Sequence, residues 1–182
     1  MNKKILRMMW CVLGAAVLVI LDRVSKIWAV NNLEGKDSIW IIKGALQLYY
    51  LPNGNTGAAW GMLDGHQTLF VIIALIVILA VCYIILFCPE DKKYNFLVIM
   101  LTFIAAGGIG NMYDRINQKY VVDFIYFSLI NFPIFNVADI YVSVCTVLLA
   151  FYLIFYIKEE DFEKLDRALK APLKKRNNNE DV

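Results

Sequence analysis

The sequence predicts an all-α membrane protein with four transmembrane helices and a small β-sheet on one side of the bilayer. Hydrophobic residues make up 60% of the 182 residues, against about 45–50% in soluble domains, and the mean hydropathy is +0.58. Four apolar runs are each long enough to cross about 30 Å of hydrocarbon. Lysine and arginine concentrate in alternate segments between these runs, which is typical of a chain that crosses a membrane repeatedly.

The first apolar run, residues 8–21, follows three basic residues, as the hydrophobic part of a signal peptide would. The run has no small-residue cleavage site and continues through Asp22 and Lys26, which are spaced i,i+4 on one helical face. We therefore predict a first membrane helix whose outer end is polar. The second run, residues 66–87, predicts another membrane helix.

The loop between these two runs is apolar on both sides of Lys43 and Gly44. Residues 38–51 therefore predict a strand, a turn and a strand. Two roles for this small sheet remain open. It caps the helix bundle, or it offers its edge to an extended peptide by strand addition.

The third and fourth runs cover residues 94–111 and 132–157. Near the start of the fourth, Asn136 is predicted as an N-cap with Asp139 three residues later, a spacing similar to a capping box. We predict one membrane domain over residues 1–157, with outer loops at about residues 31–66 and 114–131. Residues 158–182 alternate acids and bases and predict a solvated, charged helical tail.

The distribution of basic residues predicts the orientation of the chain. Most lie in the two terminal segments and in the loop between the second and third runs, which places both termini in the cytoplasm.

The net charge of +2 indicates no nucleic-acid partner. Four scattered cysteines and one histidine indicate neither a disulfide framework nor a metal site. The glycines of Gly107-Gly108-Ile109-Gly110 are not followed by the Lys-Ser/Thr of a phosphate loop, so they predict close helix packing.

With this topology, the unusual polar residues all fall in one layer at the outer membrane face. They are Asp22, Lys26, Asn55, Asn111, Asp114, Arg115, Asp123, Asn136 and Asp139. Acidic residues in an apolar setting are costly and mark functional sites. Their convergence therefore predicts a site at this face.

Asp123 and Asp139 are the candidate catalytic residues. Asp139 also has a structural explanation, since an acid in the first turn of a helix complements the helix dipole. Asp123 interrupts an apolar segment and has no such explanation. Two carboxyl groups in a partly dry site share a proton near neutral pH, so one can activate water while the other protonates an amide carbonyl. Asn111 and Arg115, spaced i,i+4, either bind a carbonyl or lipid oxygen or neutralise a carboxylate; both roles remain open.

Five motifs together resemble the bacterial lipoprotein signal peptidase family, also called signal peptidase II. They occur in order along the chain and are Asp22-Arg23-Val24-Ser25-Lys26, Asn55-Thr56-Gly57-Ala58-Ala59-Trp60, Gly107-Gly108-Ile109-Gly110-Asn111-Met112-Tyr113-Asp114-Arg115, Val121-Val122-Asp123-Phe124 and Phe135-Asn136-Val137-Ala138-Asp139.

The resemblance implies an aspartyl endopeptidase of the bacterial cytoplasmic membrane that works without metal or organic cofactor. Its substrate would be a prolipoprotein, cut before a cysteine that carries diacylglycerol, and its inhibitor the peptide antibiotic globomycin. The dyad would be Asp123 and Asp139. Further roles are implied for substrate or dyad orientation (Asn55, Gly57, Asn111, Arg115, Asn136), for the pocket floor (Asp22, Lys26) and for structure (Asp114). The outer loop would form a cradle and a lid.

Three positions depart from the family pattern. Arg23 stands where a glutamine is usual, and Gly54 stands where an arginine usually precedes Asn55. Trp60 replaces the more common phenylalanine.

Two other classes of function compete with a peptidase. A transporter would place the acids near mid-bilayer, and a scaffold would leave any activity unchanged when Asp123 or Asp139 is replaced.

Overall fold

The computed structural model describes residues 3–57 and 65–180 of the chain. Four of its helices are long and apolar enough to cross a membrane. They are α1 (Lys3–Leu33), α2 (Gln67–Phe87), α3 (Asn95–Gln118) and α4 (Val137–Phe155). The predicted fold class, a helical membrane protein with a small sheet, is confirmed.

Helix α3 is the central helix and packs against α1, α2 and α4. Its glycines permit this close packing, as predicted. A Cβ atom added at Gly107 would lie 2.5 Å from the carbonyl oxygen of Ala138 on α4, and one added at Gly110 would lie 2.5 Å from Oδ2 of Asp22 on α1. The glycine run therefore brings three helices together at the end of the bundle that carries the polar residues.

A three-stranded antiparallel sheet lies beside that end of the bundle, in the order β1 (Ile39–Ile42), β2 (Leu46–Leu48), β3 (Ile125–Phe127). The strand, turn and strand predicted between α1 and α2 are confirmed. The sequence did not predict that β3, from the loop between α3 and α4, completes the sheet. Its pairing with β2 joins Leu48 to Ile125, a contact between distant parts of the chain that no local pattern indicates.

A small core attaches the sheet to the bundle. Ala29 and Leu33 of α1 pack there with Tyr50, Val122 and Phe124, and Leu48 of β2 lies against the same cluster. The chain on both sides of Asp123 is thereby fixed to α1. This anchoring positions an otherwise irregular loop.

Two boundaries differ from the predicted ones. Helix α1 continues to Leu33, and α3 continues to Gln118, where Lys119 adopts a left-handed conformation with φ of +66°. The outer loops of about 31–66 and 114–131 therefore each begin later than predicted. Helix α4 begins at Val137, directly after the predicted Asn136 cap, although the apolar run starts at residue 132. The residues before the cap are not helical, because the Phe135 backbone pairs with Ile125.

The predicted C-terminal helix is present as α5 (Glu159–Glu180). It is not free along its whole length. The Tyr83 hydroxyl on α2 donates to the carbonyl of Leu169 at 2.6 Å, and the Tyr94 hydroxyl donates to that of Asp161 at 2.7 Å. The first half of α5 therefore packs back across the ends of the membrane helices.

Candidate active site

The start of α4 positions Asp139. The Asn136 side chain accepts a hydrogen bond from the backbone N–H of Asp139 at 3.1 Å, and Oδ2 of Asp139 accepts one from the backbone N–H of Asn136 at 3.1 Å. This reciprocal pair is the predicted capping box. The other carboxylate oxygen, Oδ1, accepts a hydrogen bond from the amide of Asn111 at 2.7 Å. Asp139 thus caps its helix and also faces the site.

Two asparagine amides hold Asp123. Asn136 Nδ2 donates to Oδ1 at 2.6 Å, and Asn55 Nδ2 donates to Oδ2 at 2.8 Å. Paired backbone bonds between Asn55 and Val121, at 2.8 and 2.9 Å, place Asn55 beside the Asp123 segment. The Gly57 N–H donates to Oδ1 of Asn55 at 3.0 Å and so turns the amide nitrogen toward the carboxylate. Asn136 contacts both aspartates, which brings the two predicted carboxylates together.

Burial, the largest effect, and the nearby Asp139 carboxylate together raise the pKa of Asp123 to about 7, although the Asn55 and Asn136 amides oppose the shift. Asp123 is only 1% exposed. Removal of water destabilises a buried carboxylate more than two neutral amide donors stabilise it. Near neutral pH, Asp123 therefore exchanges between an acid that donates a proton and a base that accepts one.

A buried lysine fixes the direction of the Asn111 amide. Lys26 Nζ lies 3.0 Å from Asp22 Oδ2, 2.9 Å from Asp114 Oδ2 and 2.9 Å from Asn111 Oδ1. The ammonium thus donates a hydrogen bond to Asn111 and forms ion pairs with the two carboxylates. Asn111 Oδ1 therefore faces Lys26 and its Nδ2 faces Asp139. The sequence paired Asp22 with Lys26 but did not predict this link to Asn111.

Asp22 and Lys26 were expected to shape the pocket floor. Both are fully buried, and neither is among the residues that line the cavity. Their charges face each other inside the bundle. Asp22 Oδ1 accepts a hydrogen bond from the backbone N–H of Ala138 at 3.1 Å, which ties α1 to the first turn of α4.

Asp114 connects three parts of the fold. It forms ion pairs with Lys26 and Arg23 of α1, and its Oδ2 accepts a weak hydrogen bond from the Val122 backbone at 3.4 Å. Arg23, which departs from the family pattern, also lies over the Tyr113 ring at 4.7 Å. The Arg23 charge is therefore paired with Asp114, in the same polar layer as the other buried charges.

Gly54, the second departure, occupies a position where a larger residue does not fit. Its φ is +68°, and an added Cβ would lie 2.0 Å from the Tyr120 ring. Tyr120 thus packs where a side chain would begin, directly before Asn55. Ala58, Ala59 and Trp60, and with them the expected lid, fall outside the described residues.

A cavity of about 720 Å³ opens beside Asp139. One part of its wall is polar and includes Asn55, Arg115 and Asp139. The remainder is largely apolar, with Phe132, Ile134, Ile140 and Val144. Such a cavity suits a molecule with a polar group next to a long apolar one.

Arg115 and Phe70 form one side of this cavity. The Arg115 guanidinium donates to the carbonyl of Gly57 at 3.2 Å and lies 4.8 Å from the centre of the Phe70 ring. Its buried Nε has no hydrogen-bond partner among the described residues. Phe70 was not predicted as a site residue, because one aromatic in a uniformly apolar helix carries no distinguishing signal.

The fold and these carboxylates define a multi-pass membrane protein with a candidate hydrolytic site, and comparison with known proteins identifies the class as a protease. The family model described as "Signal peptidase (SPase) II" matches residues 14–155. The chain belongs to this family. The resemblance drawn from the five motifs is confirmed.

Individual relatives agree with this assignment. The chain is 41% identical over 139 residues to a lipoprotein signal peptidase of Clostridium novyi (strain NT), covering 75% of this chain and 91% of that protein. It is 40% identical over 148 residues to that of Clostridium tetani (strain Massachusetts / E88), covering 80% and 90%. A bacterial membrane enzyme solved at 2.3 Å superposes with a TM-score of 0.69 at 33% identity, covering 82% of this chain and 92% of that one.

Proposed function

We propose that the protein is an aspartyl endopeptidase that removes signal peptides from prolipoproteins whose cysteine carries diacylglycerol, at the outer face of the bacterial cytoplasmic membrane. Asp123 and Asp139 would activate the water that attacks the scissile carbonyl. One observation carries this proposal: Asn136 contacts both carboxylates, one through its side-chain amide at 2.6 Å and the other through its backbone N–H at 3.1 Å.

The two acids have different surroundings. Asp139 accepts hydrogen bonds from Asn111 and from the Asn136 backbone at the start of α4. Asp123 has a pKa of about 7, raised mainly by burial and also by the nearby Asp139 carboxylate. In the proposed resting state, Asp139 is the base and Asp123 carries the proton.

The reaction then needs no covalent enzyme intermediate. Asp139 accepts a proton from water as the water oxygen bonds to the scissile carbon, and Asp123 donates its proton to the carbonyl oxygen. In the second step the carbon–nitrogen bond breaks. The proton held by Asp139 goes to the leaving amine, and Asp123 recovers a proton from one hydroxyl of the tetrahedral intermediate.

The cavity supports a substrate anchored in lipid. Its apolar wall, which includes Ile140 and Val144, suits acyl chains or the apolar signal peptide, while its polar wall suits the peptide backbone. We propose that Asn55, Gly57 and Arg115 orient that backbone, with Asn111 and Asn136 orienting the dyad. An anchored substrate reaches the site by diffusion within the membrane, and such prior positioning lowers the entropic part of the barrier.

Several further expectations belong to the proposal. Both termini lie in the cytoplasm, so that the Asp dyad faces outward. Globomycin competes with the prolipoprotein for the cavity. The position of Asp139 as the third residue of α4 supports a peptidase over a transporter, since a transporter would require acids near mid-bilayer.

The decisive experiment measures cleavage by purified protein of a prolipoprotein with a diacylglyceryl-cysteine, together with the same precursor lacking the lipid. Asp123→Asn and Asp139→Asn should each abolish turnover while the protein stays folded, because each removes one proton-transfer group. Asp37→Asn, an exposed acid in the loop before β1, is the matched control and should cleave normally. Cleavage that survives in both dyad variants, or equal cleavage of the unlipidated precursor, would overturn the proposal.

A further inference from the structure

Strand β1 exposes four consecutive large apolar side chains. Ile39 is 46% exposed, Trp40 47%, Ile41 56% and Ile42 57%. Edge strands that face water are normally blunted by charges or proline, since an exposed apolar edge invites aggregation. An exposed apolar run of this kind marks an interaction surface.

A second segment extends this surface. Leu129 and Ile130, in the short turn Ser128–Ile130 after β3, are 67% and 66% exposed. The turn lies against the β1–β2 connection, because the Ser128 hydroxyl and the Leu129 N–H donate to the carbonyl of Ala45 at 3.2 and 3.4 Å. We call the combined surface the apolar tip; it consists of Ile39, Trp40, Ile41, Ile42, Leu129 and Ile130.

The apolar tip begins close to the end of α1. Ile39 pairs with Leu48, and Leu48 packs against the core cluster that includes Ala29 and Leu33 of α1. The exposed apolar residues along α1 continue up to Trp28. Since a helix rises about 1.5 Å per residue, Leu33 lies only about 8 Å beyond Trp28 along α1, so the cluster at the root of β1 is close to the exposed apolar surface of that helix.

The exposure pattern favours lipid over a peptide as the occupant. Successive residues in a strand point to opposite faces, yet Ile39 and Trp40 are exposed to almost the same extent. A peptide laid on the sheet would cover one face, and a peptide added at its edge would cover only backbone. The strand register also shifts between Trp40 and Ile42, which disturbs the edge that an added strand would need.

We propose that the apolar tip inserts into the adjacent leaflet at the boundary between headgroups and acyl chains. A fluid lipid surface covers both faces of β1, and tryptophan with nearby lysines is typical of that boundary; Lys36 precedes β1 and Lys43 follows it. Phe132 connects the tip to the cavity, since its N–H donates to the Phe127 carbonyl at 3.1 Å and its side chain lines the wall. Insertion therefore fixes the cavity mouth at the depth of the lipid headgroups, a role beyond the proposed peptidase activity and independent of it.

The test measures the depth of the tip in full-length protein reconstituted in nanodiscs of phosphatidylcholine and phosphatidylglycerol. Cys11, Cys82, Cys88 and Cys145 are replaced by alanine, and a nitroxide label is attached at Ile42→Cys or Ile130→Cys. Collisions with oxygen, which concentrates in lipid, are compared with collisions with a water-soluble nickel chelate. Val147→Cys, on the exposed face of α4, is the lipid control, and Asn117→Cys, exposed at the end of α3, is the water control.

Labels at positions 42 and 130 should match position 147, with oxygen collisions dominant. If collisions with the nickel chelate dominate at both positions, as they should at position 117, the proposal is overturned. Protection from nickel that arises only when lipidated precursor is added would also overturn it, because the tip would then be a peptide-binding surface.

If the cysteine-free protein does not fold, quenching of tryptophan fluorescence by brominated lipids tests the same proposal. Trp40→Phe should remove part of the quenched signal, and an unchanged quenched signal would count against insertion.

Discussion

The ammonium of Lys26 lies 2.9 Å from the side-chain oxygen of Asn111, and this contact orients the amide that holds Asp139. A fully buried lysine thus acts on the site through an asparagine, without lining the cavity. Its charge is balanced by Asp22 and Asp114. The carboxylate geometry therefore depends on an ion cluster inside the helix bundle.

Lys26→Met should destabilise the fold strongly. The change leaves Asp22 and Asp114 buried without their shared cation, and breaking a buried ion pair in this way costs about 3–5 kcal/mol. We expect a large fall in the thermal unfolding midpoint in detergent. Lys164→Met, which removes an exposed ion pair with Asp91, is the control and should change the midpoint little. Equal midpoints for the two variants would contradict the buried-cluster interpretation.

Activity should fall as the pH rises through about 7, because the proposed mechanism needs Asp123 protonated and its pKa is raised to about 7. Asn55→Ala removes a hydrogen bond that lowers this pKa, so the alkaline limb of the kcat profile should move to higher pH even though kcat itself drops. Gln47→Ala, on β2, should leave the limb in place. An Asn55→Ala limb that stays fixed or moves to lower pH would argue against Asp123 as the acid.

The same pKa has a consequence for stability. The pKa of Asp123 is about 7 in the folded state and about 3.9 in the unfolded chain. Between these two pH values, the folded state therefore binds a proton that the unfolded state does not. The free energy of unfolding should therefore decrease as pH rises from about 4 to about 7. Asp123→Asn should flatten this part of the pH dependence in denaturation measured in detergent, whereas Asp37→Asn should leave it unchanged.

Asn136→Asp separates the two functions of Asn136. A carboxylate still accepts the hydrogen bond from the Asp139 backbone, so the helix cap should survive and the unfolding midpoint should change modestly. The amide donor to Asp123 is lost, and a third acid enters the site. We expect kcat to fall on the order of 100-fold or more, the scale of a lost preorganised donor. Near-normal kcat would show that this hydrogen bond does not position the dyad.

Gly110→Ala should be far more disruptive than Gly108→Ala on the same helix. A Cβ at Gly110 would lie 2.5 Å from Oδ2 of Asp22, whereas one at Gly108 would be 3.6 Å from its nearest neighbour, Ile78. Overpacking of a tight core costs about 1–3 kcal/mol. Thermal unfolding in detergent measures the difference, and similar midpoints for the two variants would mean that the helices separate at little cost.

Local sequence patterns predicted most of the secondary structure. The apolar runs placed the four spans, and Asn136 with Asp139 gave the start of α4 a capping box that the structure contains. Both rest on interactions among near neighbours in sequence. Strand β3 was missed, because it depends on pairing with a distant segment.

The sequence by itself determined that this chain crosses a membrane, which family it belongs to and which polar residues converge at one end of the bundle. Hydrophobicity and motif order are properties of the linear chain, so no contact is needed to recognise them. Only the tertiary structure decided that Asn55 holds Asp123 across 68 residues, that Lys26 orients Asn111 across 85, and that β1 is exposed on both faces. Hydrogen-bond direction and exposure depend on which distant segments contact each other. The glycines of α3 permit those contacts, because they let α1 and α4 pack closely against it.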